Sequence, residues 1–137
     1  MAKLLVHIGI TPQISEKMHR EERVTTLVGY DFFSLIDRVK AEENKTRSKA
    51  QIIELLQTDG EKFAVWLETL TPEFLSETVI DPDGKTAKTR FERLLGPKEH
   101  EMHHRGQLML IERQLGIVPH LTRQFEETMK QMQAAKA

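Results

Sequence analysis

Lys98-Glu99-His100-Glu101-Met102-His103-His104-Arg105-Gly106-Gln107-Leu108-Met109-Leu110-Ile111-Glu112-Arg113-Gln114-Leu115 is the stretch that decides how this chain reads. His100 and His104 are four apart, so on an α-helix they stand one above the other. The same face continues through Gln107, Leu108, Ile111 and Leu115. At about 100° per residue these six span an arc of roughly 100°, and Glu101, Arg105, Glu112 and Arg113 fall outside it. The spacing therefore predicts a helix that carries a histidine pair on its apolar, inward side.

Outward from that helix, the chain has room for one domain and one core, at 137 residues with 39% hydrophobic and 30% charged. Acids and bases are mixed and the net charge is −1, so no basic stripe offers itself to nucleic acid. Without cysteine there is no disulfide, no thiolate metal site and no thiol nucleophile, which fits the cytoplasm. Leu4 to Ile10 is too short and too polar for a signal peptide or a membrane span.

Helical periodicity dominates and strand signals are scarce, so the expected class is all-α. Ala2 to about Arg23 reads as a helix interrupted at Thr11-Pro12 by a kink or a restart, with Thr11 capping and His7 on the Leu4–Ile8 stripe. Glu21 to Gly29 reads as a connector. Tyr30 to Val39 reads as a short helix capped by Asp31, and Lys40 to Arg47 as a charged, solvated linker. Ser48 to Leu70 is the clearest long helix, opened by a Ser48/Gln51 capping box, with Asp59 on its apolar stripe, Gly60 marking a close approach or bend, and Trp66 in the core. Thr71-Pro72 starts a short helical turn, and Asp81 to Gly84 reads as a turn. A last long helix is expected from about Ala87 to Leu115, kinked at Gly96-Pro97 and stopped by Gly116. Leu121 to Ala137 is helix-prone, with Phe125, Met129 and Met132 on one side. One domain follows: a helical bundle over residues 1–120 and a tail over 121–137 that belongs to the same domain or to a dimer contact.

The chemistry sits with the histidines. An i, i+4 pair supplies two imidazoles to one ion at little further cost in backbone freedom, and a third must come from another helix. His7 is the candidate. Taken alone, it reads as a core histidine hydrogen-bonded to a carbonyl. His19 and His120 read as surface residues. His103, rotated by roughly 60° from His100, reads as a hydrogen-bond donor to the ligands, as a substrate contact, or as a partly exposed bystander. Glu101 or Asp59 are candidates to accept a ligand's second N–H, or are solvated charges or helix-packing polar residues. Gln107 is a candidate to hold a metal-bound water, or is a buried amide. His100-Glu101-Met102-His103-His104 matches the His-Glu-x-x-His pattern of zinc proteases, but no further metzincin-type histidine and no candidate sheet accompany it.

His100 to Gln107 also spells His-x-x-x-His-Arg-Gly-Gln, and Leu4-Leu5-Val6-His7-Ile8 places a leucine pair shortly before a histidine. In both stretches the chain resembles the DinB-like family, the damage-inducible, YfiT-like metalloproteins of bacteria, over about Lys3 to Pro119. The resemblance implies a four-helix bundle with up-up-down-down arrangement. It implies a divalent metal, zinc or nickel, on His7, His100 and His104, with coordination positions open. It implies a metal-dependent transferase using a low-molecular-weight thiol and an electrophile, or a metal-dependent hydrolase. The alternative is a non-catalytic bundle, metal-stapled or metal-free, that acts as a dimeric stress-related binding protein. Family members usually carry a full helix before the first histidine. Here His7 stands near the start of the chain, so the expectation is that this helix is lacking or shortened: either the start is truncated or mis-assigned, or the Leu121 to Ala137 tail or the partner in a homodimer covers the gap.

Overall fold

The computed structural model describes residues 1–135. The chain forms two compact units, Met1–Glu101 and Met102–Ala137. The described residues form helices and one small hairpin, joined by short connectors: α1 (Ala2–Ile10), α2 (Pro12–Ser15), a wide π-helical turn (Glu16–Glu21), α3 (Phe32–Glu43), α4 (Lys49–Glu68), α5 (Pro72–Ser76), β1 (Thr78–Ile80), β2 (Ala87–Thr89), α6 (Arg90–Gln114) and α7 (His120–Ala134). The all-α expectation holds. Among the described residues no helix is long and apolar enough to cross a membrane. The helix-prone tail is α7 as far as it is described; residues 136–137 of that reading lie outside the described residues.

In the first unit, α1 packs chiefly on α4 and also on α3. Val6, Ile10, Val39 and Ile52 are buried together, with Leu5, Ile14, Leu55 and Leu56 packed against them. A second cluster joins Met18, Leu27, Leu35 and Val79, and Ile14 touches both. Trp66 is buried as expected, its ring 5.6 Å from that of Phe63. Ser48 and Gln51 form the capping box reciprocally at the start of α4, which satisfies two amides that the first helical turn leaves without partners. Asp31 caps α3 by accepting from the Ser34 amide at 3.0 Å, and Thr71 caps α5 by accepting from that of Phe74.

Several local expectations are corrected. Thr11 does not cap a restart. It keeps helical dihedrals, and its hydroxyl donates back to the His7 carbonyl at 2.7 Å. Lys40 to Arg47 is not wholly a linker, because α3 runs on to Glu43. Gly60 lies within continuous α4, and a Cβ there would meet nothing within 4 Å. Ala87 to Thr89 pairs as β2 antiparallel to β1, with Val79 opposite Lys88. The Asp81–Gly84 turn is thus a hairpin turn, held by Asp83 accepting from the Lys85 and Thr86 amides at 2.9 Å. The hairpin was hidden because each strand spans three residues, too few for alternation to register. The last long helix starts at Arg90 instead, behind a second capping box. Glu92 accepts from the Thr89 amide at 2.8 Å, and its own amide donates to Thr89 Oγ1 at 3.2 Å.

His19 is buried, not at the surface. The π-turn is the reason. Its wider winding bonds the Glu22 amide to the Lys17 carbonyl and puts the successive residues Met18 and His19 both inside. His19 Nδ1 accepts from Arg90 Nη1 at 3.0 Å, and Arg90, itself buried, donates from Nε to Glu77 at 2.8 Å. Burial first, and then the nearby Arg90 and Arg93 cations, lower the His19 pKa to about 4.

In the second unit, the end of α6 is closed as the sequence suggests. Gly116, at φ 73°, donates to the Arg113 carbonyl at 3.0 Å, and Ile117 donates to that of Glu112 at 2.8 Å. This paired reversal suits glycine because the left-handed conformation carries no Cβ penalty there. Leu115, Ile117, Phe125 and Met132 are exposed.

Candidate metal centre

His7 is set by α1, whose Val6 and Ile10 are anchored in the core one residue before and three after it. The half-buried imidazole thus leaves the same short helix next to its best-held positions. Lys3 ties the start of this helix to the end of α3 by donating to Asn44 Oδ1 at 3.2 Å. His7 Nδ1 is hydrogen-bonded to Oε1 of Glu43, in the last turn of α3. With Nδ1 donating to that carboxylate, the lone pair stands on Nε2. That atom is 3.0 Å from His100 Nε2, and the two ring centroids are 4.8 Å apart.

His100 also borders a cavity of about 360 Å³ in the first unit, whose walls include Ile14, Met18, Phe32, Lys88 and Arg93. His104 follows His100 by one turn of the unbroken α6, so the helix itself fixes its place beside His100. His104 Nδ1 donates to Gln107 Oε1 at 2.8 Å, which leaves the lone pair on His104 Nε2. The Gln107 amide nitrogen donates to His103 Nε2 at 3.0 Å, and the His103 and His104 rings meet edge to face at 4.9 Å.

The half-buried His7, His100 and His104 each offer a ring nitrogen, and these atoms lie within 4.8 Å of one another. A three-histidine cluster of this kind could hold a divalent metal ion. Zinc with nitrogens at about 2.0–2.1 Å would space neighbouring ligand atoms at roughly 3.3–3.4 Å, close to the His7–His100 separation. Imidazole suits zinc, nickel, copper and iron alike, so the donor set fits an ion without naming it.

The other sequence candidates take different places. Asp59 accepts from Gln13 Nε2 at 3.0 Å and lies 3.6 Å from Lys62 Nζ. Glu101 is exposed and borders a cavity with Ile8, Leu56, Phe63 and Pro97. His103 is exposed and reaches His104 both by ring contact and through Gln107. The Gln107 amide is engaged at both ends by histidines. His120, expected at the surface, is half-buried and accepts from Arg105 Nη2 at 3.1 Å. Sequence reading missed Glu43 because its segment was taken for a solvated linker. The signal was there: Glu43 follows Val39 by four residues and so continues the Val39 side of the helix.

A sequence model described as DinB family matches residues 16–134 of the chain, a span that includes His100 and His104 but not His7. No curated protein and no solved structure matches the chain.

Proposed function

The chain belongs to the DinB family, and from that premise we propose that it is a metal-dependent enzyme acting in the cytoplasm. In this reading it is a transferase using a low-molecular-weight thiol as co-substrate, or a hydrolase, with zinc or nickel on His7, His100 and His104. The observation that carries the reading is the convergence of three imidazoles from distant parts of the sequence, with His100 bordering a cavity. When bound, the ion would act as a Lewis acid that lowers the pKa of a thiol or water to near neutrality. A three-histidine set is the composition of sites that keep a position open, whereas structural sites are closed by four protein ligands. Around the site, Gln107 holds His104 in one tautomer, and the cavity beside His100 gives room for a small molecule. Ile14, Met18 and Phe32 give it apolar wall, and Lys88, Arg93, Glu92 and Glu99 line it with charges of both signs. The thiol is a co-substrate because the chain has no cysteine of its own. A homodimer belongs to the same proposal, supported by the apolar side chains exposed on α7.

The test begins with metal content. Protein purified without added metal and then loaded with zinc or nickel should hold about one ion per chain by elemental analysis. His104→Ala and His7→Ala should each lower uptake at least tenfold with unchanged helix content by circular dichroism. Uptake by both variants equal to the parent would show that the ligands lie elsewhere. A screen of loaded protein with several low-molecular-weight thiols and a generic electrophile then separates the enzyme from the non-catalytic alternative.

A further inference from the structure

We propose that Glu43 is the positioning residue of this centre: its carboxylate holds His7 as the Nδ1–H tautomer and so turns Nε2 toward the ion. The inference rests on the metal reading above and concerns a residue that stands outside the histidine motif. Glu43 is 13% exposed in its side chain, and His7 is its hydrogen-bond partner. Its neighbours are used differently. Glu42 binds Lys45 and Arg47, and Asn44 binds Lys3.

A carboxylate in the last turn of a helix faces the negative end of the helix dipole, so its charge is disfavoured there unless a donor offsets it. The His7 N–H is that donor. The two interactions thus need each other. Glu43 gains a proton donor where its charge is otherwise unwelcome, and His7 gains a fixed ring and a fixed tautomer.

His7 has the greater need of such support. His100 and His104 share one long helix, and Gln107 on that helix orients His104. His7 is carried by a separate and shorter helix, the nine-residue α1. Glu43 is not placed as a ligand itself. Its oxygen lies on the Nδ1 side of the ring, while His100 lies on the Nε2 side. A carboxylate behind a ligating imidazole also raises the basicity of the ligand, and loss of such a partner typically lowers metal affinity about 10–100-fold.

The test measures Zn²⁺ affinity by chelator competition for the parent, Glu43→Gln, Glu43→Ala, Glu42→Gln and His7→Ala. It is paired with ¹⁵N–¹H spectra of the His7 ring in the metal-free proteins. The expected result is a loss of about 10–100-fold for Glu43→Ala and a smaller loss for Glu43→Gln, whose amide oxygen still accepts. Glu42→Gln should match the parent. The metal-free parent should show His7 protonated on Nδ1, and Glu43→Ala a mixture of tautomers. If Glu43→Ala does not fold, Glu43→Gln carries the comparison. Parent-like affinity in both Glu43 variants, with affinity lost in His7→Ala, would overturn the role of Glu43 and leave the metal site standing. A parent that takes up no Zn²⁺ would overturn both.

Discussion

His19 sits neutral inside the first unit, accepting a hydrogen bond from a buried arginine. Its folded pKa, about 4, lies below the ordinary value of 6.5. Between these values the unfolded chain binds the extra proton and the folded chain does not, so stability rises with pH across this window. The contribution is complete above about 6.5 and is lost as pH falls toward 4. Its full size is on the order of 3 kcal/mol. Denaturant unfolding at pH 7 and pH 5 should show the parent less stable at pH 5, and His19→Gln should flatten that difference. An equal pH dependence in the variant would remove His19 as its source. The histidine cluster was legible where a period expressed it: His100 and His104 stand out because four residues make one helical turn. His7 was a candidate from its place on the Leu4–Ile8 stripe, and the resemblance set it beside the pair, since one histidine on one stripe has no partner in sequence. His19 was misplaced because the π-turn breaks the 3.6-residue period from which exposure is read.

Among the elements, α4 was the most legible, because a capping box and a long apolar stripe point to the same helix. The end of α6 was equally open to reading through Gly116. Its beginning was not. Thr89 and Glu92 form a capping box, but the short strand before them was absorbed into the expected helix. The hairpin adds to the core through one side chain. Val79 is fully buried against Met18, Leu27 and Leu35, whereas Thr78 and Ile80 on either side of it are exposed. Thr26 bridges to Ile80, and the Leu27 amide donates to the Ile80 carbonyl at 2.8 Å, so the connector after the π-turn is bound to the same strand. Val79→Ala should therefore cost about 2 kcal/mol in denaturant unfolding. The exposed Ile80→Thr change should cost well under 1 kcal/mol. Equal losses would mean that the hairpin is held by its ladder and not by Val79.

At the scale of the molecule, both buried clusters lie in the first unit. The second unit is a helical pair, and stretches below about 40 residues seldom hold a core by themselves. Its exposed Ile117, Phe125 and Met132 support the proposed homodimer. Sedimentation at micromolar concentration should give twice the 15.9 kDa of the chain. A Phe125→Lys, Met132→Lys double variant should return it to that mass without altering metal uptake. A parent that sediments as a single chain throughout would end the dimer proposal. The fold class was readable because helical periodicity fills most of the sequence. The pairing of α1 with the end of α3 was not, because it depends on where a charged helix end stops.

The wide turn at Glu16–Glu21 is a matter of counting as much as of packing. It accommodates one more residue per turn than a regular helix, so it acts as an insertion held in place by its neighbours. Lys17 pairs with Glu21 and Arg20 with Glu16 across it, and Arg20 and Glu21 are exposed. The chemical identity of those side chains matters little to the register. Their number matters a great deal, since deleting one would rewind the turn and carry His19 by roughly 100° away from Arg90. This segment is tolerant of spelling and intolerant of length.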